Sequence, residues 1–279
     1  MIRLERVRTV DAVPTSFRGA TPRNRLVRLM KQVRDQLESG DAVKPTIDSL
    51  WKVAKEQLLA ESHQKCAYCE TPTSVIAFGD VEHYRPKSVY WWLAYVYDNY
   101  LASCTLCNQK YKGSEFEIEG PQMPGPVITA NQSDQTLKEL AKTAIPDPLK
   151  LAAVEQFVAA HRAERALGLN PYLDNPEAIF AWRVDDIKEV TVIANPDVPE
   201  ANKFVEAGHR MFGINRLQLR RQRYVIYRSY NLARRVLDEA GASDGLKSDA
   251  RELVLSMTAP ESAYAAMIRY FERQRGPIV

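Results

Sequence analysis

The stretch KCAYCETPTSVIAFGDVEHYRPKS, residues 65–88, read together with CTLCNQKYKG at 104–113, decides the fold. Cys66 and Cys69 stand two residues apart, as do Cys104 and Cys107, and the two pairs use all four cysteines of the chain. A two-residue gap lets both thiolates of a pair turn toward one ion, and two pairs supply the four sulfurs of a closed tetrahedral zinc site. A redox reading of either pair would want a βαβ setting, which the flanking sequence lacks. Cys66, Cys69, Cys104 and Cys107 are therefore predicted to hold a structural Zn²⁺. Its binding free energy, on the order of 10 kcal/mol, would replace the broad core that a loop-rich segment cannot build. Four thiolates leave no open position for substrate, so this ion is not expected to be the catalyst.

Outward from the cysteines the texture changes. Thr21-Pro22 reads as a cap and first turn, after which Leu26, Met30, Val33 and Leu37 keep helical spacing until Gly40. Ile47, Leu50, Trp51, Ala54 and Leu58 predict a second helix with Thr46 as its cap. Both are expected to serve packing. GPQMPGPVITANQS, residues 120–133, reads as a linker. Beyond it residues 134–170 look helical, 178–194 alternate like a β-hairpin, and 200–240 and 246–275 return to helical spacing.

The expected organisation is an N-terminal helical segment (1–62), a zinc module (63–118), a linker (119–133) and a helical C-terminal domain (134–279) with a hairpin near 178–194. The class is α+β, mainly helical.

The whole chain, 279 residues with 45% apolar and 26% charged and a formal charge of +3, has the composition of a globular protein, and the total charge names no partner. Its N-terminal stretch is broken by charges, and no window has the length of apolar sequence that a membrane span needs, so a cytoplasmic location without membrane contact is expected. No GxxxxGK[ST] phosphate loop occurs, so any ATP-driven step would need another chain.

Between the cysteine pairs lie 34 residues, with Glu82-His83 early and Asp98-Asn99 late, and Asn108 follows the second pair directly. A neutral imidazole, with an unperturbed pKa of about 6.5, accepts a proton near neutral pH. Carboxylate and amide oxygens suit Mg²⁺ or Mn²⁺. On a strand, Asp80 would share the face of Glu82.

Taken in order, CAYC, VEHYRPKS, YDNYLASC and CTLCNQKYKG resemble the HNH nucleases with a ββα-metal active site. The resemblance implies a zinc-stabilised ββα-metal module embedded between the helical segments. It gives His83 the role of general base, Glu82 that of acidic ligand to a catalytic Mg²⁺ or Mn²⁺, and Asn108 that of second protein ligand. Asn99 matches the middle asparagine that orients the histidine. The sequence departs from many members in having Glu-His where they have Asp-His, and the downstream lysine aligns equally with Lys110 or Lys112. LGLNPYLDNPEAIF and MFGINRLQLRRQRYVIY are similar to a bacterial subgroup that includes the nuclease subunit of the Septu anti-phage system and retron-associated relatives. There the nuclease works with a separate ATPase of the ABC or SMC type.

Arg85, Lys87, Lys110 and Lys112 flank the expected site as candidates to hold phosphates. The aromatic run 90–100 reads as core in preference to base stacking. Residues 209–237 contain eight arginines and no acidic residue; Arg220, Arg221 and Arg223 are the candidates there for a phosphate-binding face, with a docking surface or a solvated helix as alternatives. His63, His161 and His209 are expected at the surface or in the core, with a place beside the zinc as the alternative for His63. The expected activity is metal-dependent hydrolysis of DNA by the effector of a bacterial defence system. The alternatives are an RNA-directed or restriction-type nuclease, or a non-catalytic zinc module that binds nucleic acid or protein.

Overall fold

The computed structural model describes residues 1–73 and 78–275; residues 74–77 of the expected zinc module and 276–279 of the expected C-terminal domain lie outside them. It is mainly helical, with two small antiparallel sheets. Helix α1 spans Ala20–Ser39 and ends at Gly40, whose φ of 75° lets its N–H close on Gln36 and Leu37, the stop that the sequence announces. It starts one residue before Thr21, after Gly19 at φ 60°. The second predicted helix is shorter than expected. The Asp48 carboxylate accepts from the Leu50 N–H, so the chain turns there and not at Thr46, enters a 3₁₀ turn over Leu50–Ala54, and becomes helix α2 at Lys55–Glu61.

Strand β1 (Asp80–His83) pairs antiparallel with β2 (Tyr100–Ser103), setting Glu82 opposite Leu101 and His83 opposite Tyr100. A π-helical turn over Leu106–Lys112 follows the second cysteine pair. Helices α3 (Asp134–Ala144) and α4 (Leu151–Glu164) divide the expected 134–170 helix, because Pro146 and Pro148 interrupt it. After a short α5 (Pro176–Ile179), β3 (Phe180–Val184) and β4 (Val190–Ala194) form the hairpin the alternation predicts. Helices α6 (Ala201–Phe212), α7 (Leu217–Asp238), α8 (Asp244–Thr258) and α9 (Ala265–Arg275) complete the chain. Among the described residues no helix is long and apolar enough to cross a membrane.

Two hydrophobic cores flank the cysteine segment. One joins α1, the 3₁₀ turn, α3 and the aromatic run, whose Tyr90, Trp92, Leu93, Tyr95, Val96 and Tyr97 are all buried, as expected of core residues. The other gathers the cysteines, the β3–β4 hairpin and α6 to α9, with Met1, Ile2 and Leu4 packed among them. The cores therefore cross the boundaries that composition suggested: the N-terminal residues pack with the C-terminal half, and Leu137 and Phe157 pack with α1.

Gly213 sets the joint between α6 and α7. It adopts φ 60°, and a Cβ there would meet the Tyr111 ring at 2.6 Å, so only glycine lets the joint lie against the π-helical turn. The break places Arg216 under the cysteines.

Candidate active site and metal centre

The four cysteine sulfurs converge as the spacing predicts: all lie within 4.8 Å of one another, and Cys69 Sγ is 3.9 Å from Cys104 Sγ. Tetrahedral zinc with Zn–S bonds of about 2.3 Å requires sulfurs about 3.8 Å apart, so the set fits that ion. Cys66, Cys69 and Cys107 are buried and Cys104 is partly exposed. Arg216 was not visible as part of this centre. Its guanidinium donates to Cys107 Sγ at 3.5 Å and to Cys69 Sγ at 3.7 Å. Hydrogen bonds from the neighbouring thiols, with Arg216 adding to them, hold the Cys69 thiol well below its usual range. A four-thiolate zinc centre carries excess negative charge, and a buried guanidinium offsets part of it.

Beside the β1–β2 sheet lies an open cleft of about 440 Å³. Glu82, His83 and Asn108, drawn from β1 and the π-helical turn, all line it. Asp80 lines it too, and Asn108 Nδ2 and Gln109 Nε2 donate to its Oδ2 at 3.3 and 3.1 Å. Strand alternation puts Asp80 and Glu82 on one face.

His83 is 8% exposed, wedged edge-on between Trp51 and Tyr100 with ring centroids at 5.3 and 5.0 Å. One ring nitrogen donates to the Ala94 carbonyl, and the other, Nε2, is buried without a partner among the described residues. Burial pushes the imidazole down to about 3, and Lys87 adds to this, so the ring is neutral and Nε2 is a proton acceptor. Burial moves Glu82 the other way, up to about 7, although Lys112 pairs with it at 2.6 Å.

Asn99 does not bond the histidine directly. Its amide closes on the backbone of Arg85, accepting from N at 2.9 Å and donating to O at 3.1 Å, with a longer bond to Leu93 O. It thus fixes the chain leaving β1 and the loop carrying the Ala94 carbonyl.

The chain is similar to the Septu protein PtuB of Bacillus mycoides (strain KBAB4). The two are 37% identical over 68 residues, which cover 20% of this chain and 23% of that protein, so the match spans less than a quarter of either. No family model matches the chain, and no solved structure does.

The basic candidates divide sharply. Arg85 is wholly buried, with Nε on Glu164 at 2.6 Å and Nη2 on His161 Nδ1 at 2.9 Å, so it ties the sheet to α4 and is not free to hold a phosphate. Lys112 is equally buried, on Glu82 and the His83 carbonyl, and is corrected in the same way. Lys110 is exposed but outside the cleft. Lys87 does line it, with Nζ 4.2 Å from the Trp51 ring centroid.

The arginine-rich segment is partly tied up, although Arg228 and Arg235 remain exposed on α7. Arg223 is buried and donates to Ile214 O, Arg220 and Arg221 both pair with Glu189, and Arg210 pairs with Glu117. Among the other histidines, His161 is buried, and His63 pairs with Glu261 at 3.5 Å. Lys52 and Lys55, assigned from sequence to a packing helix, line the cleft. Nothing local in the sequence marks them, because the approach is made across the fold.

Proposed function

We propose that this chain is a metal-dependent endonuclease of the HNH type that hydrolyses phosphodiester bonds of DNA. The observation that carries the reading is the buried, unpartnered Nε2 of His83 in the wall of a cleft shared with Glu82, Asp80 and Asn108. His83 Nε2 takes a proton from the attacking water as its oxygen bonds to phosphorus. The bond from phosphorus to the 3′ oxygen breaks, that oxygen takes a proton from solvent, and the products are a 5′-phosphate and a 3′-hydroxyl, with His83 returning its proton to solvent. Asn99 and the Ala94 carbonyl hold the imidazole in the tautomer that leaves Nε2 free.

Glu82 and Asn108, with Asp80 beside them, form an all-oxygen donor set of the kind hard cations take. Lys112 offsets only part of the cost of burying Glu82, as its raised pKa shows, and a cation in the cleft would complete that compensation. When bound, Mg²⁺ or Mn²⁺ supplies Lewis-acid stabilisation of the phosphate and of the leaving 3′ oxygen.

The similarity to the Septu protein PtuB supports a role in anti-phage defence; an ATPase of the ABC or SMC type as partner, which the resemblance of the sequence implies, is part of the same proposal. A cytoplasmic location belongs to the same reading, since four free thiols arranged for zinc persist in a reducing compartment.

The test is to incubate the zinc-loaded protein with plasmid, single-stranded DNA and tRNA, with and without Mg²⁺, beside His83→Ala. The expected result is Mg²⁺-dependent cutting of DNA that the variant loses. Cutting of tRNA alone would move the target to RNA. No cutting with a candidate ATPase present would leave a non-catalytic zinc module.

A further inference from the structure

The cleft has a second wall that neither the cysteine pairs nor the Glu-His dipeptide announces. Trp51, Lys52 and Lys55 come from the 3₁₀ turn and the start of α2, and Lys87 faces them from the loop after β1. None of these three lysines has an ion-pair partner among the described residues. Every arginine and lysine that the sequence singled out near the cysteines or in residues 209–237, apart from Lys87 and Lys110, is tied to a carboxylate or a carbonyl. The cleft also holds Asp80 and Glu82, but Lys112 already pairs with Glu82, so the three lysines leave an excess of positive charge on this side, and an anion is the natural complement.

At the edge of this wall stands Phe78, 88% exposed, with the Lys55 ammonium 5.8 Å from its ring centroid. An uncovered aromatic face beside a line of ammonium groups is the combination that grips single-stranded nucleic acid: cations follow the phosphates and the ring stacks on a base. In a duplex both faces of a base are already occupied by its neighbours, so a flat ring gains a partner only where a strand is unpaired.

We infer that the Trp51–Lys55 wall, with Lys87 and Phe78, binds one unpaired DNA strand and feeds its phosphates toward His83. The inference rests on the nuclease reading for its direction but not for its test. Lys52, Lys55 and Lys87 hold the phosphates, and Phe78 stacks on a base.

The experiment measures binding of a short labelled DNA oligonucleotide, as a single strand and as a duplex of the same sequence, to full-length zinc-loaded His83→Ala, which binds without cutting. The single strand is expected to bind more tightly. In Lys52→Gln/Lys55→Gln the dependence of log affinity on log salt should flatten by about 0.7 per lysine removed. Phe78→Ala should weaken the single strand about tenfold while leaving the duplex unchanged. Lys110→Gln, outside the cleft, should change neither. Both lysines stand at the surface, so thermal unfolding and zinc content should match the parent and report that the fold is intact. Equal affinity for duplex and single strand, or an unchanged salt slope in the lysine variant, overturns the inference. Cleavage assays on the His83-intact protein report separately on the nuclease reading.

Discussion

The two sites beside the β1–β2 sheet are built in opposite ways. At one, four sulfurs meet inside a hydrophobic core, and Arg216 covers two of them. At the other, oxygens and an imidazole meet at an open cleft where three lysines stand unpaired among the described residues. The same short segment supplies both, since Cys107 and Asn108 are adjacent in the chain. The contrast teaches that enclosure separates a site that maintains shape from one that exchanges ligands. A filled and neutralised shell has nothing left to offer a substrate, whereas an incompletely compensated one does.

The largest effect that would break this comparison is at the sulfur site. Cys69→Ser should lose zinc and cooperative unfolding together, because metal binding worth on the order of 10 kcal/mol is folding energy here; elemental analysis and a thermal melt check it. A variant that still melts cooperatively without zinc would show that the core suffices alone.

Next in size is the buried pair beneath the cleft. Lys112→Met leaves Glu82 without its partner and should destabilise the fold by about 3–5 kcal/mol by denaturant titration. Lys112→Met/Glu82→Leu should recover most of that, because the penalty lies in the uncompensated carboxylate. Recovery that fails would mean Lys112 acts through its bond to the His83 carbonyl instead.

Smaller again, Arg216→Gln should keep the fold but release zinc to a chelator at an affinity about tenfold to a hundredfold weaker, as is usual when a group supporting metal ligands is removed. An unchanged affinity would remove charge compensation from the account of the sulfur site. Smallest is Arg221→Ala. Its side chain is two-thirds exposed and shares Glu189 with Arg220, so stability should change by less than about 0.5 kcal/mol.

Much of the site was legible because its chemistry is local in sequence. The cysteine spacing fixes the sulfur cluster without reference to anything else, the β3–β4 hairpin is visible as alternation, and strand period alone puts Asp80 beside Glu82. What stayed hidden depends on contacts between distant segments. Arg85 and Lys112 look like surface cations until Glu164 and Glu82 are seen to bury them. The arginines of 209–237 look like one positive face until Gly213 breaks the helix and Glu189 and Glu117 claim three of them, Arg210, Arg220 and Arg221. Lys52 and Lys55 sit on a short amphipathic element that reads as packing, and only the folded chain brings them to the cleft.

The central claim is that this one segment carries two metal centres of different kinds, one closed and one reactive. A crystal of the zinc-loaded protein soaked in Mn²⁺, with anomalous data collected at the edges of both metals, tests it most directly. The account predicts a zinc peak among Cys66, Cys69, Cys104 and Cys107 and a separate manganese peak in the cleft against Glu82 and Asn108. Manganese absent from the cleft, or displacing zinc from the sulfurs, would contradict it.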